Sequence, residues 1–302
     1  MNTIDTSHAL FVSDLDGTLL NANRQITERT AQAVNRLIEL GGLFAIATAR
    51  MPHSCRDRLA PLNLELPAIV MNGAALYSFA QARFIHWYPI SRRAVEHVQD
   101  AITRHNAGAF IYAIHDGKLR IGYTRDTDLL SEQYNTPAAH ADTGQFTELG
   151  PTDWQRLGEI IYIAVVGDDN TINQVATDLT NTSDVQLLPY RNIYTETDCL
   201  EIASTTAGKH NAIELLLSDT GATSLVAFGD NHNDLAMMAI ADVSLAPVDA
   251  IDDARNAADI IIQSHDSDGV AKILETRFIP ALRPAASASN SKPDPIHESN
   301  LR

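Results

Sequence analysis

Two carboxylates, Asp14 and Asp16, follow the apolar run Leu10-Phe11-Val12 within the segment Asp14-Leu15-Asp16-Gly17-Thr18. Such a run reads as a buried parallel strand, and open α/β sheets bind ligands in the crevice beyond the carboxyl ends of their strands. Three more clusters fall at the ends of predicted strands or the starts of predicted helices: Thr48-Ala49-Arg50, Lys209, and Gly229-Asp230-Asn231-His232-Asn233-Asp234. Singly, each is explained equally well as a turn, a helix cap or a solvated first-turn residue. Together, and in this order, they describe phosphoryl transfer.

A carboxylate can attack phosphorus as a nucleophile, which splits one hard step into two through an aspartyl-phosphate. Two anions approach only with help. A Mg2+ held by hard oxygen ligands, with Asp230 opposite Asp14, would remove the repulsion and bridge to a phosphate oxygen. Thr48, Lys209 and Asn233 offer a hydroxyl, an ammonium and an amide to the other phosphate oxygens, where transition-state charge resides. Asp16 can protonate the leaving alkoxide and then deprotonate the attacking water. Arg50 is a candidate for a phosphate or cap contact, or for a pair with an acid on the core surface.

The elements that must hold these groups alternate. The pattern predicts a strand at Leu10 to Ser13, a helix carrying Val34, Leu37 and Ile38, a stop at Gly41-Gly42, a strand at Leu43 to Ala47 and a further run at Ala68 to Met71. Between about Tyr77 and Thr197 the character changes. Phe84 to Tyr88, and Phe110 to Ile114 with Leu119 to Tyr123 across Asp116-Gly117, read as antiparallel hairpins. Helices near Arg92 to His105 and Asn170 to Asn181 and a strand at Ile160 to Val166 complete an α+β insert. After Leu200-Glu201-Ile202 the alternation resumes with a helix from Lys209 to Leu217, a strand at Leu225 to Phe228, a helix over Asp234 to Ile240, short strands near Val243 and Ile260, and a last helix near Val270 to Arg277. The expectation is an α/β fold, a parallel-sheet core at 1–82 and 195–280 interrupted by an α+β cap at 83–194. The Ala-, Ser-, Asn- and Pro-rich tail at 281–302 has a disordered composition.

The motif set resembles the haloacid dehalogenase superfamily of phosphohydrolases, whose first motif is Asp-x-Asp-Gly-Thr. The size and place of the insert, and the last motif Gly229-Asp230-Asn231-x-Asn233-Asp234-x-x-Met237, are similar to the Cof-like, large-cap sugar phosphatases. Asn72-Gly73-Ala74, Leu200-Glu201-Ile202 and Ser267-Asp268-Gly269-Val270-Ala271 add to the resemblance. It implies a Rossmann-like core, Asp14 as nucleophile, Asp16 as acid and base, and a Mg2+ held by Asp14, the backbone carbonyl of Asp16, and Asp230. It further implies phosphate contacts from the Leu15 backbone, Thr48, Ala49, Lys209 and Asn233, with Asp234 orienting Lys209 or a metal-bound water. Three positions depart from the pattern: Ala49 and His210 stand where Gly is usual, and Asp249 stands where Asn is common. The last would add a carboxylate near the site.

The 302 residues allow two domains, and a net charge of −16 argues against a nucleic-acid partner. Only Cys55 and Cys199 are present, too few for a disulfide framework and suited to packing in a reducing compartment. No secretory signal or membrane-length apolar run is visible, so a cytoplasmic protein without a membrane partner is expected. The eleven histidines lack ligand spacing, and His232, although inside the last motif, reads as a non-ligand. The leading reading is a Mg2+-dependent phosphomonoester hydrolase acting on small phosphorylated metabolites, sugar phosphates foremost. A sugar phosphomutase and a non-catalytic sugar-phosphate sensor remain alternatives. Tyr112, Tyr190, Arg191 and Tyr194 are candidate specificity residues in the cap, and cap closure over one site does not require a second copy of the chain.

Overall fold

The computed structural model describes residues 8–124, 146–150, 153–191 and 198–282, and these divide into two compact units. The first unit takes in residues up to Arg50, Cys55–Gln81, and the chain from Lys209 onward; the second takes in Met51–Ser54 and Ala82–Gly208. The tail at 281–302, apart from its first two residues, and Tyr194 lie outside the described residues.

In chain order the strands are β1 (Ala9–Ser13), β2 (Leu43–Ile46), β3 (Ala68–Val70), β4 (Ala75–Ser78), β5 (Arg83–Trp87), β6 (Gly108–His115) and β7 (Lys118–Tyr123). The series continues with β8 (Phe146–Glu148), β9 (Glu159–Gly167), β10 (Val185–Arg191), β11 (Asp198–Ser204), β12 (Ser224–Phe228), β13 (Val243–Pro247) and β14 (Ile260–Ile262). The first unit holds a parallel sheet in the order β14-β13-β12-β1-β2, extended by a single parallel bridge from Ala47 to Ile69 in the middle of β3. Every residue of β1 and the last four of β12 are buried, which is why these runs are continuously apolar instead of alternating.

The crossover from β1 to β2 runs through the helix Glu28–Glu39. Its start is fixed by Thr27, whose hydroxyl oxygen accepts from the Thr30 N–H, and it buries Ala31, Val34 and Leu37 along one face. Its end is fixed by glycine: Gly41 sits at φ 87°, and the amides of Gly41 and Gly42 return to the carbonyls of Ile38 and Leu37. That is a Schellman closure, which needs a left-handed residue at this point. At the far end of the chain Phe278 meets Phe11 of β1 edge to face, with ring centroids 5.2 Å apart, tying the C-terminal helical turns to the central strand.

The second unit carries an antiparallel-rich sheet in the order β10-β11-β9-β6-β7-β8. The helices Arg92–Arg104 and Asp169–Leu179, capped by Ser91 and Asp168, share one apolar core with Ala109, Ile111, Ile163, Val165, Leu200 and Ile202 of the sheet. Asp116 and Gly117 both take positive φ, 52° and 69°, as the tight β6-β7 hairpin demands. Tyr112 stands edge to face with Tyr162 across this sheet, with centroids 5.9 Å apart. Cys55 and Cys199 are buried free thiols.

The parallel core and the α+β insert are both as expected from the sequence. The boundary expected at 194/195 falls instead at 208/209, because β11 pairs antiparallel with β9 and β10. The helix expected over Asp234 to Ile240 is a single turn at His232–Asp234 followed by Leu235–Ala239. Strands β4, β8 and β10 had no counterpart in the sequence reading. Among the described residues, no helix is long and apolar enough to cross a membrane.

Candidate active site

All four clusters converge within the first unit, at the carboxyl ends of β1, β2 and β12 and the first residue of the helix Lys209–Thr220. The Asp14 N–H donates to the Phe228 carbonyl at 2.9 Å, which carries the β1-β12 pairing one residue beyond the strands. The chain then makes a wide turn over Leu15–Leu19, closed by the Leu20 N–H on the Leu15 carbonyl at 2.8 Å. Gly17 in this turn has φ 81°, and a Cβ there would meet Asp230 Oδ2 at 2.3 Å. Only glycine fits, since both the backbone region and the space exclude a side chain. Thr18, next in line, donates its hydroxyl to Asp230 Oδ1 at 2.9 Å.

Lys209 binds the cluster together. It is 2% exposed, and its Nζ lies 2.5 Å from Asp14 Oδ1 and 2.6 Å from Asp234 Oδ1. Burial alone would lower its pKa, but the two carboxylates outweigh that and raise it, so the ammonium stays protonated. Asp234 is fully buried, and its second oxygen accepts from the N–H groups of Asp230 and Asn231 at 3.0 and 3.1 Å. Asp234 thus orients both Lys209 and the loop that carries Asp230. Gly229 makes this close packing possible: a Cβ there would lie 2.5 Å from the Asp234 Cβ.

Carboxylate oxygens of Asp14, Asp230 and Asp234 come within 4.8 Å of one another. Three carboxylates against one ammonium leave two negative charges in a largely buried space. The pKa of Asp14 is raised well above its ordinary value, by burial first and then by Asp234 and Asp230, against the pull of Lys209. Asp230 is pushed up to about 6 by burial and by Asp234. Concentrated, desolvated and under-compensated carboxylate oxygens are the donor set of a hard divalent cation, so the residues fit a metal ion. Because both Asp234 oxygens are already engaged by Lys209 and the backbone, Asp14 and Asp230 are the natural ligands in the triad.

Asp16 stands apart, half exposed, with its carboxylate gripped by Arg50: Nε lies 2.5 Å from Oδ2 and Nη2 2.6 Å from Oδ1. Of the roles open to Arg50 in the sequence, the structure displays the acid pair. Thr48 is buried and accepts the Arg50 N–H on its Oγ1 at 3.1 Å, which leaves the hydroxyl proton for another acceptor. Ala49 is exposed beside it. Leu15 is fully buried, and Asn233 is exposed, its Nδ2 donating to Asn72 Oδ1 at 2.9 Å. His232 is exposed and stands 3.6 Å from Asp253, outside the acidic triad.

The sequence reading missed two partnerships. Thr18 steadies Asp230, and Asn72 steadies Asn233; the only signal for either was membership in the Asp-Gly-Thr and Asn-Gly-Ala motifs. Asp249, expected to add a carboxylate near the site, has partners of its own. Its carboxylate accepts from Ser264 Oγ at 2.7 Å and lies 2.6 Å from His265 Nδ1, so it forms its own pair and is not a member of the triad. Burial would raise its pKa, but the Ser264 hydrogen bond and the neighbouring His265 lower it.

A parallel α/β core with a paired-acid loop at its central strand, a buried lysine and a carboxylate triad defines an enzyme site for hydrolytic group transfer. The profile of the haloacid dehalogenase-like hydrolases matches residues 11–274, and the chain belongs to that family. The chain is 23% identical over 280 residues to the 5-amino-6-(5-phospho-D-ribitylamino)uracil phosphatase YcsE of Bacillus subtilis, covering 89% of this chain and 96% of that one. It is 28% identical over 239 residues to the HMP-PP phosphatase of Cronobacter sakazakii, covering 77% and 81%. Similar folds include a haloacid dehalogenase-like hydrolase of Bacteroides thetaiotaomicron (TM-score 0.69, 22% identity, 89% and 98% covered) and a HAD subclass IIB sugar phosphatase (TM-score 0.66, 19% identity, 90% and 99% covered). The Cof-like resemblance drawn from the motifs agrees with these relatives.

Proposed function

We propose that the protein is a Mg2+-dependent phosphomonoesterase of small phosphorylated metabolites, sugar phosphates foremost, working in the cytoplasm through an aspartyl-phosphate on Asp14. The observation that carries this reading is the buried chain Asp14-Lys209-Asp234 with Asp230 closing the triad. The names of the relatives, phosphatases of small phosphorylated compounds, support the substrate class.

An Asp14 carboxylate oxygen attacks phosphorus while the ester P–O bond breaks, and the leaving alkoxide takes its proton from the Asp16 carboxyl. Asp16, now a carboxylate, takes a proton from water; the water oxygen attacks phosphorus, the P–O bond to Asp14 breaks, and inorganic phosphate leaves. Thr48, Lys209, Asn233 and the backbone at Leu15 and Ala49 hold the phosphoryl oxygens in this reading. Asp14, Asp230 and the Asp16 carbonyl would hold a Mg2+, which would supply charge neutralisation between nucleophile and phosphate. Lys209 adds a positive charge that needs no reorganisation during the reaction, because its partners already fix it.

The experiment is a panel of phosphorylated sugars, nucleotides and cofactors assayed for phosphate release with Mg2+ and with EDTA. The proposal predicts metal-dependent release with sugar phosphates among the best substrates. Absence of release across the panel by folded, Mg2+-binding protein would overturn it.

A further inference from the structure

We infer that Arg50 is a positioning residue for the hydrolysis of the aspartyl-phosphate: its guanidinium holds the ionised Asp16 carboxylate in one orientation, so the general base of that step works as an Asp16–Arg50 pair. The inference rests on the phosphatase reading and concerns how its proton-transfer group is aimed.

Asp16 needs such a partner. Its backbone lies in the wide turn at the end of β1, at φ −78° and ψ 123°, and is followed by Gly17. Its side chain is 45% exposed, so packing restrains it less than it does buried Asp14 and Asp234. A general base misplaced by an ångström loses most of its effect. Arg50 supplies the missing restraint with two parallel N–H to oxygen bonds, the planar fork that fixes a carboxylate in angle as well as in distance. The pair also balances the charge Asp16 carries once its proton has gone to the leaving group.

Arg50 is itself held unusually well for a loop residue. Its N–H donates to Thr48 Oγ1 at 3.1 Å, and its carbonyl accepts the Met71 N–H at 3.0 Å. Met71 and Asn72 take the left-handed conformation, at φ 53° and 54°, ahead of Gly73 at φ 86°. Two consecutive non-glycine residues in that region form a strained turn, and such strain persists only where surroundings enforce it. Here three of the turn's hydrogen bonds go to site groups: the Met71 N–H donates to the Arg50 carbonyl, the Asn72 N–H to the Thr48 carbonyl at 3.0 Å, and the Asn233 amide to Asn72 Oδ1. The turn after β3 thereby fixes the segment from which Arg50 reaches Asp16.

The test is a double-mutant cycle with Arg50→Ala, Arg50→Lys, Asp16→Asn and the double variants, with p-nitrophenyl phosphate as probe and thermal melts to establish folding. The expected result is a loss of kcat of about 100-fold in Arg50→Ala with KM within about threefold of wild type, and little rescue by lysine, which carries the charge but not the fork. In the Asp16→Asn background, removing Arg50 should cost less than about threefold, because the group it aims is already disabled. A rise in KM at unchanged kcat, restored by lysine, would make Arg50 a phosphate contact and overturn the inference. An equal loss with and without Asp16 would overturn it as well. Inactivity of the wild-type protein would count against the phosphatase reading itself, a separate outcome.

Discussion

At the scale of single residues, the site is a contest between burial and charge. Asp14 and Asp230 have raised pKa values because each is desolvated beside other carboxylates, and a divalent cation reverses that cost. Protons and metal therefore compete for the same oxygens. With Asp230 pushed up to about 6, Mg2+ affinity should be full near pH 8 and fall steeply as pH drops through about 6. Titration calorimetry at pH 5, 6, 7 and 8 measures this, and a pH-independent affinity would contradict it. Asp14→Asn removes the nucleophile and should lower kcat by about 1000-fold or more, whereas Asp16→Asn, assayed with p-nitrophenyl phosphate, should leave the attack on phosphorus possible and slow the later hydrolysis. Rapid-quench kinetics separates the two variants. Asp14, Asp16, Lys209 and Asp230 were legible in the sequence as candidates because each follows an apolar strand within three residues or opens a helix. The Arg50–Asp16 and Thr18–Asp230 pairs were not, since they join side chains 34 and 212 positions apart that no local pattern connects.

At the scale of elements, the loop after β1 is shaped by what cannot be there. Gly17 has both a positive φ and a carboxylate oxygen 2.3 Å from where a Cβ would stand. Gly17→Ala should therefore cost about 2–3 kcal/mol of stability and displace Asp230. Chemical denaturation and Mg2+ titration check the two halves, and an alanine variant of unchanged stability would contradict the assignment. The parallel strands were legible because burial on both faces makes them continuously apolar. Leu200-Glu201-Ile202 was legible as a strand but not as to its sheet: an apolar triplet reads alike whether it pairs parallel or antiparallel, and only its partners β9 and β10 place it in the second unit. Pro189 broke the strand signal of β10, yet an edge strand tolerates a residue without an N–H.

At the scale of the whole molecule, function and stability pull apart. A carboxyl group whose folded pKa is raised contributes stability that is complete below its unfolded value and is lost as pH rises through the folded one. Ionised Asp230 is therefore a liability to the metal-free fold at pH 7, and Asp230→Asn, which keeps an acceptor for Thr18, should stabilise that form by roughly 1–3 kcal/mol. The wild type should in turn gain thermal stability from Mg2+, and the variant should gain none. Melting curves with and without Mg2+ read both effects, and a variant that melts lower than wild type without metal would contradict the account. The two-unit organisation was legible from the change in character near Tyr77, but the second boundary was not, because it falls between β11 and Lys209 with no shift in composition to mark it.

The central claim is that phosphorus bonds to Asp14. The direct measurement is a single-turnover acid quench of the Asp16→Asn variant with p-nitrophenyl phosphate, whose leaving group needs no proton, and Mg2+, followed by peptide mass spectrometry. The account predicts one base-labile phosphoryl group on the peptide carrying Asp14, lost when Asp14→Asn is added or EDTA replaces Mg2+. A phosphoryl group on another residue, or phosphate release by Asp14→Asn at the wild-type rate, would contradict it.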